Sequence, residues 1–287
     1  MSLRRTKAEP EPVAPNTVRV WRGFINPGTD YSKFADFLGQ VFVPGCALLQ
    51  PNAGLRAYVP SMTSQTNKPA AVPDQTALMW WATTTAHDEA TKTPAVRIYQ
   101  SLHSDAYNMS ISKSDVPNLF AGTLTTDQSY YFFKNKADWM LGTVRHLVGA
   151  PKSPANFLQT LQTWAAAYQA KPPKGVDGAL ILAGANNSYV AFWEHWTGKA
   201  KSSPLDELAK TVTPYLNATA ENIPPGGGLW SNWPGWDLTK HTCMNVQLDR
   251  PAEGRSSVPR VLGSSGGSRP EKPSARPRNR GPEDPRR

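Results

Sequence analysis

Residues 179–193 read Ala-Leu-Ile-Leu-Ala-Gly-Ala-Asn-Asn-Ser-Tyr-Val-Ala-Phe-Trp. Two short apolar runs flank Asn186-Asn187, a pair that tolerates left-handed backbone, so Ala179–Ala183 and Tyr189–Trp193 are predicted to pair as a hairpin. On either side the apolar period lengthens to that of a helix. Upstream, Trp139 to Val148 reads as a strand, and Ser153-Pro154 caps a helix with the stripe Phe157, Leu158, Leu161, Trp164, Ala165 and Tyr168. Downstream, Ser203-Pro204 opens a helix, with Asp206 three residues after the cap and Leu205, Leu208, Ala209, Val212 and Leu216 expected to face inward. Thr242 to Leu248 is expected to close this sheet.

The same order of elements precedes it. Val18 to Ile25 is a β-rich run ended by Pro27-Gly28, and the helix that follows carries Phe34, Phe37, Leu38, Val41 and Phe42 on one stripe. Strands are expected at Leu55–Val59 and Thr76–Thr83, separated by the Pro-rich and polar insertion 60–75. Thr93-Pro94 then has the form of an N-cap with proline at the first helical position, and Ala95, Ile98, Tyr99, Leu102 and Ala106 are expected on the inward face. Ser129–Phe133 is expected as the fourth strand. Two runs of strand, helix, strand, strand, helix, strand predict an α+β protein of two fused repeats, 17–136 and 137–249.

The flanks differ in composition. Residues 1–16 and 250–287 are rich in Pro and charge, with few large apolar side chains, and are expected to be disordered tails. They also hold most of the formal charge of +9. Ten Lys/Arg against four Asp/Glu give +6 in 250–287, three against two give +1 in 1–17, and the body carries the remaining +2. A near-neutral body does not predict a phosphate-neutralising groove, so no specific nucleic-acid partner is expected, and any contact of the tail with nucleic acid would be weak and salt-sensitive. Two cysteines, Cys46 and Cys243, fit a reducing compartment better than a disulfide framework. Glu9-Pro10-Glu11-Pro12 stands where a signal peptide needs an apolar run, and no stretch is long enough to span a membrane. A cytoplasmic protein with no membrane partner is the expectation.

Trp21 on the first strand, the Phe-rich helix that runs on to Leu48-Leu49-Gln50-Pro51, and Gly54-Leu55-Arg56-Ala57-Tyr58 opening the second strand resemble the dimeric α/β-barrel superfamily, which includes the antibiotic-biosynthesis monooxygenase-like proteins. The likeness spans about residues 17–249 and lies in pattern, not in a catalytic signature. It implies two fused ferredoxin-like repeats whose sheets close a pseudo-dimeric α/β barrel within one chain, present as a monomer or as a homodimer. The insertion 60–75 and the Trp-rich loop 226–236 depart from the pattern.

No phosphate loop, dinucleotide fingerprint, zinc-protease motif or nucleophile elbow occurs, and the five histidines show no paired spacing of a metal site. The candidate catalytic pair is Tyr99 and His103, four residues apart and so on one helix face, with Tyr107 extending that face. An imidazole beside a phenol can move a proton on a bound carbonyl compound; the bland alternative is a helix-edge histidine beside a half-packed tyrosine. Cofactor-free cyclases of the superfamily are similar in placing His and Tyr between sheet and helices. Asn26, Trp81 and His103 are similar in type to the Asn, Trp and His of its haem-degrading members, although core packing is the simpler account of Trp81.

In Phe192-Trp193-Glu194-His195-Trp196 alternation puts Trp193 and His195 on one face, so His195 could line a second cavity, with His146 a weaker candidate of the same kind. Trp230, Trp233 and Trp236 in the loop 226–236 could stack on a sugar or an aromatic ligand, or fold back on the sheet. The resemblance and the Tyr99/His103 face together predict a cofactor-free cyclase or monooxygenase of secondary metabolism, taking a hydrophobic polyketide or aromatic substrate. The alternative is a non-catalytic barrel that holds an apolar ligand or haem.

Overall fold

A computed structural model describes residues 17–43, 45–46, 54–132, 139 and 143–219. Strand β1 (Val18–Gly23) leads into helix α1 (Tyr31–Phe37), capped by the Asp30 carboxylate and continued by a π-turn over Leu38–Phe42. Strands β2 (Leu55–Met62) and β3 (Gln75–Trp81) follow, then the short helix α2 (Ala86–Ala90), helix α3 (Pro94–Ala106) and strand β4 (Lys113–Asp115). These four strands form an antiparallel sheet in the order β2-β3-β1-β4.

The second sheet has six strands. β5 (Asn118–Leu119) and β6 (Gln128–Tyr131) come first, then β7 (Thr143–Pro151), α4 (Phe157–Ala170), β8 (Val176–Ala183), β9 (Val190–Trp196), α5 (Pro204–Thr211) and β10 (Val212–Thr219). Their order is β10-β7-β9-β8-β6-β5, antiparallel except for β5 beside β6. The subset β10-β7-β9-β8 repeats the order of the first sheet, strand for strand.

Several local signals are realised as read. Asn186 and Asn187 both take positive φ in the β8–β9 turn, Thr93 caps α3, and Ser203 and Asp206 form a reciprocal capping box on α5.

Other expectations are corrected. Ser129–Phe133 was expected to close the first sheet, but that place belongs to Lys113–Asp115, and Gln128–Tyr131 pairs with β8 in the second. The final helix stops at Thr211, and β10 takes the sheet edge assigned to Thr242–Leu248, a segment outside the described residues. Thr211-Val212-Thr213 is β-branched and precedes Pro214, which holds Thr213 extended, so helix gives way to strand. Pro214 itself sits where the edge strand is bulged, a sheet position that tolerates proline. Helix α4 begins at Phe157 with Asn156 in left-handed conformation, not at Ser153-Pro154. Val41 is 44% exposed because the wider π-turn rotates it off the stripe and brings Phe42 inward. On α3 the inward stripe is Val96, Tyr99, His103 and Ala106, and Ile98 is 68% exposed.

Alternation along the strands divides each sheet into two unlike faces. Val18, Val20, Leu78 and Trp80 of the first sheet pack on Val144, Val148, Leu180, Ala191 and Trp193 of the second. Trp80 stacks on Trp139 with centroids 4.4 Å apart, and His146 stacks on Trp193 at 4.5 Å. The opposite faces carry helices: α1, its π-turn and α3 on the first sheet, α4 and α5 on the second. The layers run helix, sheet, sheet, helix.

Polar contacts join the two sheets. Arg22 of β1, 2% exposed, donates to Asp115 Oδ1 at 2.6 Å and to Asp127 Oδ1 at 3.2 Å, while Asp115 Oδ2 accepts from Ser129 N and Oγ. The insertion 60–75 forms a strap across them. Ser64 N donates to Tyr215 O, and Tyr215 Oη donates to Asn67 O.

His146 is wholly buried between the sheets, and burial holds its pKa well below the usual imidazole range. The unfolded chain therefore binds a proton near pH 6.5 that the folded chain refuses, and stability is full above that pH and declines as pH falls. Urea unfolding between pH 6 and pH 5 should show a slope steeper by about 1.4 kcal/mol per pH unit in the native protein than in His146→Phe. Equal slopes would place the acid sensitivity elsewhere.

Candidate functional site

Between the helical face of the first sheet and the helices α2 and α3 lies a cavity of about 280 Å³. β1 contributes Trp21, β3 contributes Met79 and Trp81, and β4 contributes Ser114. The helical wall consists of His87, Thr91, Val96, Tyr99, Gln100 and His103, with Met109 from the turn that follows. The residues alternate along the strands and recur at three and four along α3, so each reaches the cavity because its element exposes that face there.

His103 is fixed from three sides. Its Nδ1 is 3.1 Å from Gln100 O, which makes Nδ1 the protonated nitrogen and leaves Nε2 as acceptor. Trp21 at 5.2 Å and Phe42 at 4.7 Å stand edge-on to the ring. The π-turn delivers Phe42 to this position. Burial pushes the imidazole down to about 4, so it is neutral near pH 7. Tyr99 lends its ring to the cavity, and its hydroxyl and the buried Cys46 thiol act on each other's ionisation. Burial pushes the phenol well above its usual range and the Cys46 thiol up to about 12.

The remaining candidates separate. Trp81 lines the cavity together with Tyr99 and His103. Tyr107 lies beneath it, wholly buried, and donates to Gln75 Oε1 at 2.5 Å. Asn26 donates from Nδ2 to the carbonyls of Ser104 and Asp105, where it finishes α3 and does not line the cavity. The Asn-Trp-His set expected of a haem site is thus not brought together, and a cavity of about 280 Å³ is small for a porphyrin.

His195 faces the other sheet, with Nδ1 2.5 Å from Asp177 Oδ1 and its ring 4.9 Å from that of Trp139. It is not among the residues lining the cavity over the first sheet. Trp230 and Trp233 lie outside the described residues.

Over the second sheet, among the described residues, the matching face is packed with aromatic side chains. Trp164, Tyr168 and Phe192 pack with centroids 5.0–5.2 Å apart. Behind them the buried Glu194 accepts from Tyr168 Oη, Trp196 Nε1 and Ser203 Oγ. Every acceptor there is engaged.

The sequence reading missed His87, Gln100, Met79 and Met109. His87 stands next to Asp88 six residues beyond Trp81, in a helix of one turn where no periodicity marks an inward face.

No family model and no curated protein matches this sequence. Among solved structures the chain is similar to a provisionally named monooxygenase from Lactobacillus acidophilus NCFM, with 11% identity and a TM-score of 0.29 over 70% of this chain and 90% of that one. It is similar also to one from Fusobacterium nucleatum, with 9% identity and a TM-score of 0.33 over 71% and 90%. An anthrone oxidase-like protein gives 12% and 0.31 over 71% and 91%. These are distant resemblances. No helix among the described residues is long and apolar enough to cross a membrane.

A thiol buried beside Tyr99 with its pKa near 12 cannot supply thiolate at neutral pH. Peptide-resolved mass spectrometry after iodoacetamide treatment should find Cys46 unmodified in the native protein and modified in urea. Native labelling would mean that the helix covering the cavity opens readily.

Proposed function

We propose that this chain is a small-molecule enzyme with one active site, the helix-covered cavity of its first repeat. The substrate is flat and largely apolar, an aromatic or polyketide-like compound with a carbonyl or hydroxyl oxygen, and the reaction is a proton-transfer cyclisation or a cofactor-independent oxygenation. The carrying observation is the composition of the cavity. Trp21, Trp81, Tyr99, Met79 and Met109 make apolar walls of the kind small-molecule sites use, and His87, His103 and Gln100 place a few polar groups among them. A protein that only stores an apolar ligand has no need of two neutral imidazoles in one cavity. In this reading His103 Nε2 accepts a hydrogen bond from a substrate hydroxyl or enol, and Tyr99 and Trp81 hold the ring system.

The architecture belongs to the same proposal. The strand order shared by β1–β4 and β7–β10 supports two fused ferredoxin-like repeats whose sheets close a pseudo-dimeric α/β barrel. The filled face of the second repeat supports one substrate per chain.

The test uses 2-tetralone, a two-ring ketone with exchangeable C–H bonds, in deuterated buffer followed by NMR. Exchange is expected to run at least about ten-fold above buffer with native protein, a gain in the range of general acid–base catalysis, and to return to the buffer rate in Val96→Trp, which fills the cavity. His103→Gln should slow exchange about ten-fold while leaving the urea midpoint nearly unchanged. Binding of the ketone without faster exchange would make the protein a ligand holder.

A further inference from the structure

The two imidazoles of the cavity differ in what they can do with a proton. Among the described residues His103 hydrogen-bonds only to a backbone carbonyl, and burial holds it at about 4, too low for its conjugate acid to form readily near pH 7. His87 is differently placed. Its Nδ1 lies 2.9 Å from Asp88 Oδ1, and the same oxygen receives Arg19 Nη2 at 3.1 Å. Alternation puts Arg19 and Trp21 on one face of β1, so the strand that supplies an indole wall also supplies the cation behind the carboxylate. The His87 ring stands edge-on to Trp81 with centroids 5.2 Å apart at 84°.

With Nδ1–H given to Asp88, the nitrogen left to accept a proton is Nε2, on a ring that lines the cavity. Burial and the Arg19 charge lower the His87 pKa and the Asp88 carboxylate opposes them, so the ring is neutral at rest and has a hydrogen-bonded partner for positive charge once protonated. The charged groups around it are Asp88 and Lys92 on its own segment and Arg19 on β1, and across the cavity α3 presents the neutral His103. Asp88 is 65% exposed, so its ion pair with Arg19 adds little to stability. Its chemical consequence is the tautomer and orientation of His87.

We propose that His87 is the general base of this cavity and that Asp88 is the residue that positions it. The inference rests on the cavity being a ligand site. In the step, the O–H bond of a phenol or enol lying against Trp81 breaks and an Nε2–H bond forms. The electron pair stays on the ligand oxygen, and the imidazolium charge faces Asp88, itself balanced by Arg19. No electron is transferred.

Coumarin and 7-hydroxycoumarin test this, because they share a two-ring frame and only the second has an acidic hydroxyl. Full-length protein is titrated with each by fluorescence, one pH unit below the pKa of the free phenol, where about a tenth of the free dye is ionised. Native protein should bind both and raise the ionised share of bound 7-hydroxycoumarin about five-fold or more. His87→Gln should bind coumarin as the native protein does and leave bound 7-hydroxycoumarin ionised no more than the free dye. Asp88→Asn, which keeps an acceptor for Nδ1–H and removes the charge, should fall between. Bound 7-hydroxycoumarin that stays un-ionised with native protein, or stays ionised in His87→Gln, overturns the assignment of the base. An Asp88→Asn protein indistinguishable from native removes Asp88 from it. Failure of native protein to bind coumarin instead overturns the cavity reading beneath both.

Discussion

The face-to-face packing of the two sheets is the constraint on which everything else depends. Trp80 lies flat on Trp139, His146 lies flat on Trp193, and valines and leucines from both sheets fill the space around them. Aromatic rings of this size bury large apolar areas, and stacked pairs add about 0.5–1.5 kcal/mol beyond burial. The layer carries a polar cost. Among the described residues, the indole nitrogens of Trp80 and Trp193 and Nδ1 of His146 are buried without a hydrogen-bond partner, each at about 1–3 kcal/mol. Apolar burial exceeds that cost, and the buried Arg22, neutralised by Asp115 and Asp127, fixes how the sheets meet.

With the inner faces committed to each other, the cavity among the described residues opens on an outer, helix-covered face. Both outer faces are covered by helices, and the two coverings differ. Over the second sheet, α4 brings Trp164 and Tyr168 down onto Phe192 and Glu194, and Arg145 approaches Glu194 from the neighbouring strand. A buried carboxylate with three donors and a nearby guanidinium is satisfied and closed. Over the first sheet, α3 presents Val96, Tyr99 and His103, which do not fill the space above Trp21 and Trp81. Among the described residues, the same strand order carries an aromatic-packed layer over the second sheet and a cavity over the first because of which side chains reach inward.

The cavity is apolar enough to keep its imidazoles neutral. Burial weakens the basicity of both His87 and His103, and only His87 has a carboxylate to oppose the effect. Two residues that sequence cannot rank are thereby separated by environment.

The hairpin at Asn186-Asn187 and the caps at Thr93 and Ser203 were readable in the chain, because turns and caps depend on side chains a few residues apart. Tyr99 and His103 were readable as a pair because helix spacing puts them on one face, whereas Trp81 was grouped with Asn26 and read more simply as core, and the fold puts Trp81 beside that pair and leaves Asn26 out. Tertiary contacts decided the rest. Gln128–Tyr131 has the pattern of a strand, but only its partner β8 assigns it to the second sheet. Val212–Thr219 continues an apolar helical stripe on paper and is a strand in the fold, because Pro214 and pairing with β7 override that period. The π-turn moved Val41 outward, and α3 settled one residue away from its expected face, exposing Ile98. His87 and Asp88 joined the site although nothing near them in sequence marks it, since Arg19 and the cavity wall reach them across the sheet. Local chemistry fixes where elements begin and end, and the partner that each strand or helix face meets is set by long-range packing, which no short window of sequence contains.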